Sequence, residues 1–262
     1  MKNRPLADIL RPDNLEDVIG QDHLFGESGP LSTIIKSKNV PSMILWGPPG
    51  VGKTTIAKAL AKISDAEFVV MSAINSGAAD IRKVIEKAQS ESGKSVDLED
   101  DGLFVKEEKT QEKSPKKTIL MIDEIHHFNK TQQDLFLPFI EDGTIILIGT
   151  TTENPSFQLN SALLSRCKVI TLKILDEVAL EKIMQRAEKI LGKELPLTVD
   201  AREALINLSC GDARYLLNAC EELFLLNLKS EIPAQQLMEI ISKRAAHFDK
   251  KGEFHFNLIR II

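Results

Sequence analysis

The stretch "GPPGVGKT", Gly47 to Thr54, constrains this chain more than any other. It matches the pattern G-x-x-x-x-G-K-[ST], and its setting matters as much as its letters. Upstream, Met43 to Trp46 is a short apolar run suited to a buried parallel strand. Downstream, Thr54 onward is rich in good helix formers. Strand, glycine-rich turn and helix in that order aim backbone N–H groups and the positive end of a helix at one point, a seat for phosphate. Gly47, Pro48, Pro49, Gly50, Val51, Gly52, Lys53, Thr54 and Thr55 are therefore expected to hold a nucleotide. Lys53 would reach the β- and γ-phosphates, and the Thr54 hydroxyl would ligate Mg2+.

Further strands are expected at 68–73, 118–123 and 144–152, with helical stretches between them. One such helix places Ile81, Val84, Ile85 and Ala88 on a single face. Alternating strands and helices predict an α/β domain with a parallel sheet over residues 1–172. From about 173 the pattern turns helical only, predicting a small all-helical domain to residue 247. Its first helix has Asp176 as N-cap, Leu180, Ile183, Ala187 and Ile190 as apolar face, and Gly192 as stop. Residues 89–117 interrupt the alternation with dense charge and few apolar side chains, and read as a tolerated surface insert.

The run "ILMIDEIHHFN", residues 119–129, gathers Asp123, Glu124, His126 and His127 at a strand end. Such a set can belong to a transition-metal cluster, but zinc would want thiolates or further histidines at defined spacing. A phosphate seat needs a second acidic strand end for Mg2+, and Asp123 fits it. Glu124 is placed to polarise a water for attack on the γ-phosphate, which points to ATP hydrolysis over phosphoryl transfer to a metabolite.

Bulk properties narrow the setting. A formal net charge of -5 over 262 residues gives no basic excess, so DNA contact would need a local basic face or a ring of several subunits. Cys167, Cys210 and Cys220 are too few and scattered for a disulfide framework, which suits a reducing compartment. The opening "MKNRPLADIL" lacks the apolar core of a secretory signal, and no run is long enough to span a bilayer.

Taken together, these residues resemble the AAA+ ATPases, in their clamp-loader-like branch. The segment "LRPDNLEDVIGQDHLFG", 10–26, is similar to the part that wraps the adenine, which implies base contacts from Val18 and Ile19. "LIGTTTENP" resembles the sensor-1 strand end, implying Thr152 as the polar side chain near the γ-phosphate, with Thr151 and Asn154 as alternatives. "LLSRC" resembles the arginine-finger motif and implies Arg166; "GDAR" resembles sensor 2 and implies Arg214. Closer still, "DEIHHFNKTQQDLFLP" and "LIGTTTENPSFQLNSALLSRC" are similar to the replication-associated recombination protein A family, which includes the eukaryotic Werner-helicase-interacting protein.

That resemblance implies a DNA-dependent ATPase using ATP and Mg2+, assembled as a homo-oligomer at stalled forks and gapped or end-bearing duplexes. It implies single-strand-binding protein as a partner. The eukaryotic relatives' amino-terminal zinc finger is missing, favouring a bacterial cytoplasm (the nucleoid) over a nucleus. Alternatives are a clamp-loader subunit, a Holliday-junction-type motor, and an ATP-binding scaffold without turnover. The chain departs from the family at His127, where arginine is usual, and at Thr150, where alanine is usual. The insert is longer than usual. Residues 248–262 resemble the beginning of a C-terminal oligomerisation region that then stops, as in a truncated chain.

Overall fold

Five runs of the chain form strands: β1 Met43–Trp46, β2 Glu67–Ser72, β3 Thr118–Asp123, β4 Ile145–Thr151 and β5 Lys168–Thr171. All pair in parallel, in the order β2-β3-β4-β1-β5. The structure, a computed structural model, describes residues 4–91, 117–228 and 230–249. Most of the expected insert, and the expected C-terminal region from residue 250, lie outside the described residues.

Unbroken apolar runs mark the strands that could be read in advance, the edge strand β2 with Phe68–Met71 among them. β3 is buried from Thr118 to Ile122, as a central strand covered on both faces must be. β5 is the strand that the sequence did not announce. It lies at the sheet's edge and buries only Ile170, so it never forms an apolar run. The helix Ala78–Glu91 lays Ile81, Ile85 and Ala88 against the core, the face expected for it. It runs through Gln89, Ser90 and Glu91, so the first three positions of the expected insert are helical. At the other margin, the Lys117 carbonyl already accepts from the Glu67 N–H at 2.9 Å.

The described residues divide into two compact units. One is Pro12–Ile174, and the other joins the residues up to Arg11 with those from Leu175 on. The expected division put the first eleven residues in the α/β domain, and the structure corrects this. The short helix Leu6–Ile9 buries Leu6, Leu10 follows it into the helical core, and the Leu6 N–H donates to Glu221 Oε2 at 3.2 Å. Glu221 belongs to the helix Ala213–Leu226, so apolar burial and one hydrogen bond carry the amino terminus to the helical unit.

In that unit the helix Glu177–Leu191 starts and stops as its residues dictate. Asp176 accepts from the Ala179 N–H at 2.8 Å, and Gly192 takes a left-handed φ of 64°. Its buried face is Leu180, Met184 and Ala187, whereas Ile190 is half exposed. The expected face was rotated by part of a turn, because Met184 and Ile190 are equally apolar and the pattern alone cannot choose. The helix Val199–Ser209 is tied to it by Arg202, which binds Glu181 Oε2 at 2.8 Å and grips Glu188 through two bonds of 2.7 and 2.9 Å.

Candidate nucleotide site

The turn after β1 takes the shape its glycines allow. Gly52 has φ of 101°, a conformation that L side chains rarely adopt, and the helix Lys53–Ile63 begins immediately after it. Gly47 is required for a different reason. A Cβ there would stand 2.7 Å from the Leu172 carbonyl oxygen, so the backbones can approach only without a side chain. The helix buries Ile56, Ala57, Leu60 and Ala61, which fixes its N-terminus over the turn. Thr54 and Thr55, in its first turn, are half-buried.

Lys53 is almost fully buried, and its ammonium donates to the Gly47 and Pro48 carbonyls at 2.6 and 2.9 Å. The charge is thus kept on the turn that would receive a phosphate. Val18 is buried and Ile19 half-buried just before Gln21. Gln21, fully buried, was not singled out by the sequence. Its side-chain amide donates to the Lys173 carbonyl at 2.7 Å and the Val51 carbonyl at 3.4 Å, and it accepts from the Lys173 N–H at 3.0 Å. One side chain therefore fastens the expected adenine segment to the phosphate turn and to the chain leaving β5.

The acidic end of β3 lies on the other side of β4. Asp123 Oδ1 accepts from the Thr150 hydroxyl at 2.7 Å, and Thr150 Oγ1 in turn accepts from the Glu124 N–H at 3.3 Å. Glu124 itself is left-handed, φ 52° and ψ 52°, at a cost of about 1–3 kcal/mol for a non-glycine residue. Its Oε2 lies 3.4 Å from both the N–H and the hydroxyl of Thr152. Of the three expected sensor positions, then, Thr152 is the one that meets Glu124. Thr151 Oγ1 stands 2.9 Å from His126 Nδ1, and Asn154 caps the helix Pro155–Gln158 by accepting from the Ser156 N–H. His126 Nδ1 also lies 3.3 Å from Glu124 Oε2, while His127 is exposed with its ring 4.4 Å from that of His126.

β4 connects the two halves. Its Thr151 carbonyl accepts from the Gly47 N–H at 3.2 Å, so the phosphate turn and the acidic pair are both bonded to consecutive residues of one strand. The donor set suits a hard cation: Thr54 offers a hydroxyl and Asp123 a carboxylate, both oxygens of the kind Mg2+ accepts. The described cysteines take no part. Cys167 is buried, and burial pushes its thiol up to about 12.

Two expected arginines lie away from the turn in sequence. Arg166 ends the helix Ser161–Arg166 and is paired with Glu141, while its Nη1 donates to the Ala162 carbonyl at 2.8 Å. Arg214 is exposed in the first turn of Ala213–Leu226, where the Asp212 side chain caps the helix through the Arg214 and Tyr215 N–H groups.

Comparison with known proteins agrees with this geometry. The chain is 42% identical over 264 residues to the replication-associated recombination protein A of Haemophilus influenzae, covering 97% of this chain and 55% of that protein. It is 41% identical to the protein of the same name from Escherichia coli, over 98% of this chain and 55% of that one. It thus spans about half the length of the curated relatives it matches. Among solved structures, the Holliday-junction branch-migration motor RuvB of Thermotoga maritima aligns with a TM-score of 0.65 at 23% identity, over 94% of this chain and 76% of that chain. That likeness speaks to the fold. None of the helices among the described residues is long and apolar enough to cross a membrane. A family model described as the AAA C-terminal domain matches residues 191–260. The model for the ATPase family associated with various cellular activities matches residues 43–174, half of the chain, and the chain belongs to that family.

Proposed function

We propose that this chain binds ATP with Mg2+ and hydrolyses it, and that the hydrolysis serves DNA processing in replication-associated recombination. The observation that carries the proposal is the joining of the Lys53 turn and the Asp123–Glu124 pair through the tip of β4. When bound, Mg2+ supplies charge neutralisation at the phosphate oxygens. The chain's own residues supply the rest. The backbone N–H groups of Gly50–Thr54 and the Lys53 ammonium cradle the phosphates, and Val18 and Ile19 flank the base. Thr54 and Asp123 orient the cation. Glu124 orients and deprotonates the attacking water, with Thr152 beside it to register the γ-phosphate.

Arg166 is proposed to act on a neighbouring subunit's γ-phosphate, so that turnover depends on a homo-oligomer, and Arg214 is proposed to contact the phosphates of its own subunit. The relatives' name, with its replication and recombination, supports DNA as the substrate on which the work is done; forked, gapped or end-bearing duplex as its class and single-strand-binding protein as a partner are proposed from the family resemblance alone. Bacterial relatives at this identity support a bacterial cytoplasm.

Steady-state ATPase measured with and without forked DNA, for this chain and Glu124→Gln, tests the proposal. DNA-stimulated turnover that the substitution abolishes is the expected result. A chain that binds ATP but shows no turnover with any DNA, at any concentration, would reduce it to a nucleotide-binding scaffold.

A further inference from the structure

We infer that Thr150 is a positioning residue that fixes both members of the acidic pair with one hydroxyl, and so sets how tightly this chain couples ATP binding to Mg2+. The inference rests on the ATP and Mg2+ reading proposed above and deepens it. Thr150 is fully buried near the end of β4. Its Oγ1 is 2.7 Å from Asp123 Oδ1 and 3.3 Å from the Glu124 nitrogen.

The proton placement leaves no choice. An ionised carboxylate only accepts and a backbone N–H only donates, so the hydroxyl gives its single proton to Asp123 and receives that of Glu124. The first bond takes up one face of Oδ1 and leaves the carboxylate's other lone pairs for a cation or its waters. The second holds the backbone of Glu124 in its left-handed turn, the conformation that points its side chain at Thr152. Thr150 can serve as such an anchor because it is itself immobile. Its strand is paired on both sides, with Leu45 opposite it on β1 and Gly149↔Ile122 the adjacent pair on β3. A β-branched side chain on a paired strand has little freedom at χ1.

Alanine would leave the Glu124 N–H without this acceptor and would free Asp123 to turn about χ1. The consequence falls on the Mg2+-dependent part of nucleotide binding, and spares contacts that the phosphate turn makes through its own N–H groups.

The experiment compares the wild type with Thr150→Val, Thr150→Ala and Thr150→Ser. ATP affinity is measured by calorimetry across a MgCl2 titration and again in EDTA, with melting temperature as the check on folding. Valine keeps the shape and removes the hydroxyl; it and alanine should raise the Mg2+ concentration for half-maximal tight binding about tenfold, the worth of one hydrogen bond to a charged group. Affinity in EDTA should be unchanged, and Thr150→Ser should stay within about threefold of the wild type because the hydroxyl is kept. An unshifted Mg2+ requirement in Thr150→Val would overturn the inference. So would an equal loss of affinity with and without Mg2+, or a serine variant as impaired as valine. A wild-type chain with no Mg2+-dependent ATP binding would instead sink the proposed function, and the inference with it.

Discussion

Arg166 is held by Glu141 of its own chain, the guanidinium and carboxylate meeting through both Nε and Nη2. Both side chains are substantially exposed, 34% and 52%, and such pairs contribute at most about 1 kcal/mol. A pair that weak keeps the arginine extended without binding it against a competing phosphate. Arg166→Ala should therefore leave ATP affinity intact while turnover falls by about 10³ or more, the range for an arginine finger. Glu141→Ala should move the melting temperature by less than about 3 °C. Loss of ATP binding in Arg166→Ala, seen by calorimetry, would remove the residue from its proposed role.

Lys53 and Glu124 should fail in opposite ways. Lys53→Ala removes an ammonium held over the phosphate turn and should weaken ATP binding by about 10- to 100-fold, the worth of a charge-assisted hydrogen bond. Glu124→Gln keeps the shape and the Thr152 contact, so ATP should still bind while kcat drops by about 10²–10⁴. Equal losses of binding in both variants would contradict the division of labour between the turn and β3.

The helical unit has a pH-dependent fastening. Burial opposes ionisation of Glu188, but its bonds to Arg202 and the Leu195 N–H, with the Arg202 charge, hold its carboxyl below the ordinary value. A depressed folded-state pKa contributes stability above the unfolded value of about 4.3, and that stability is lost as pH falls through the folded value. Glu188→Gln should melt below the wild type from pH 7 down to about 5, and the gap should narrow progressively once the pH falls below about 4. Thermal melts across that range check it; a gap that does not narrow as the pH is lowered would count against the pairing.

Thiol chemistry should single out one cysteine. Burial pushes the Cys167 and Cys220 thiols up to about 12, while Cys210 is exposed at the left-handed end of Val199–Ser209. Iodoacetamide at neutral pH should label the native chain once, at Cys210, and three times after unfolding. Mass spectrometry of the digested protein reads the sites directly.

What the residues disclosed in advance follows from range. The phosphate turn and the Asp123–Glu124 pair are written in contiguous letters, because strand, turn and helix there are consecutive. Strands announced themselves by unbroken apolar runs, in the edge strand β2 (Phe68–Met71) as in the central ones, whereas Lys168 and Thr171 leave β5 without one. Gln21 and Thr150 went unnoticed or were set down as small changes. Their partners sit 152 and 27 positions away, and no local pattern marks a residue whose purpose is a contact made by the fold. The same holds for the amino-terminal helix, whose destination depends on Glu221.

The sheet order has a consequence for how this protein can change. β1 and β3 are never neighbours; β4 stands between them, and its last two residues, Thr150 and Thr151, with Thr152 just beyond, are each committed to a different partner. Consecutive strand residues face opposite ways, so inserting or deleting a single residue there would hand each threonine its neighbour's task. The tip of β4 works as a ruler. Substitutions along it can be absorbed one at a time, but its length cannot drift, and engineering or divergence at this site must proceed by exchange of side chains at constant count.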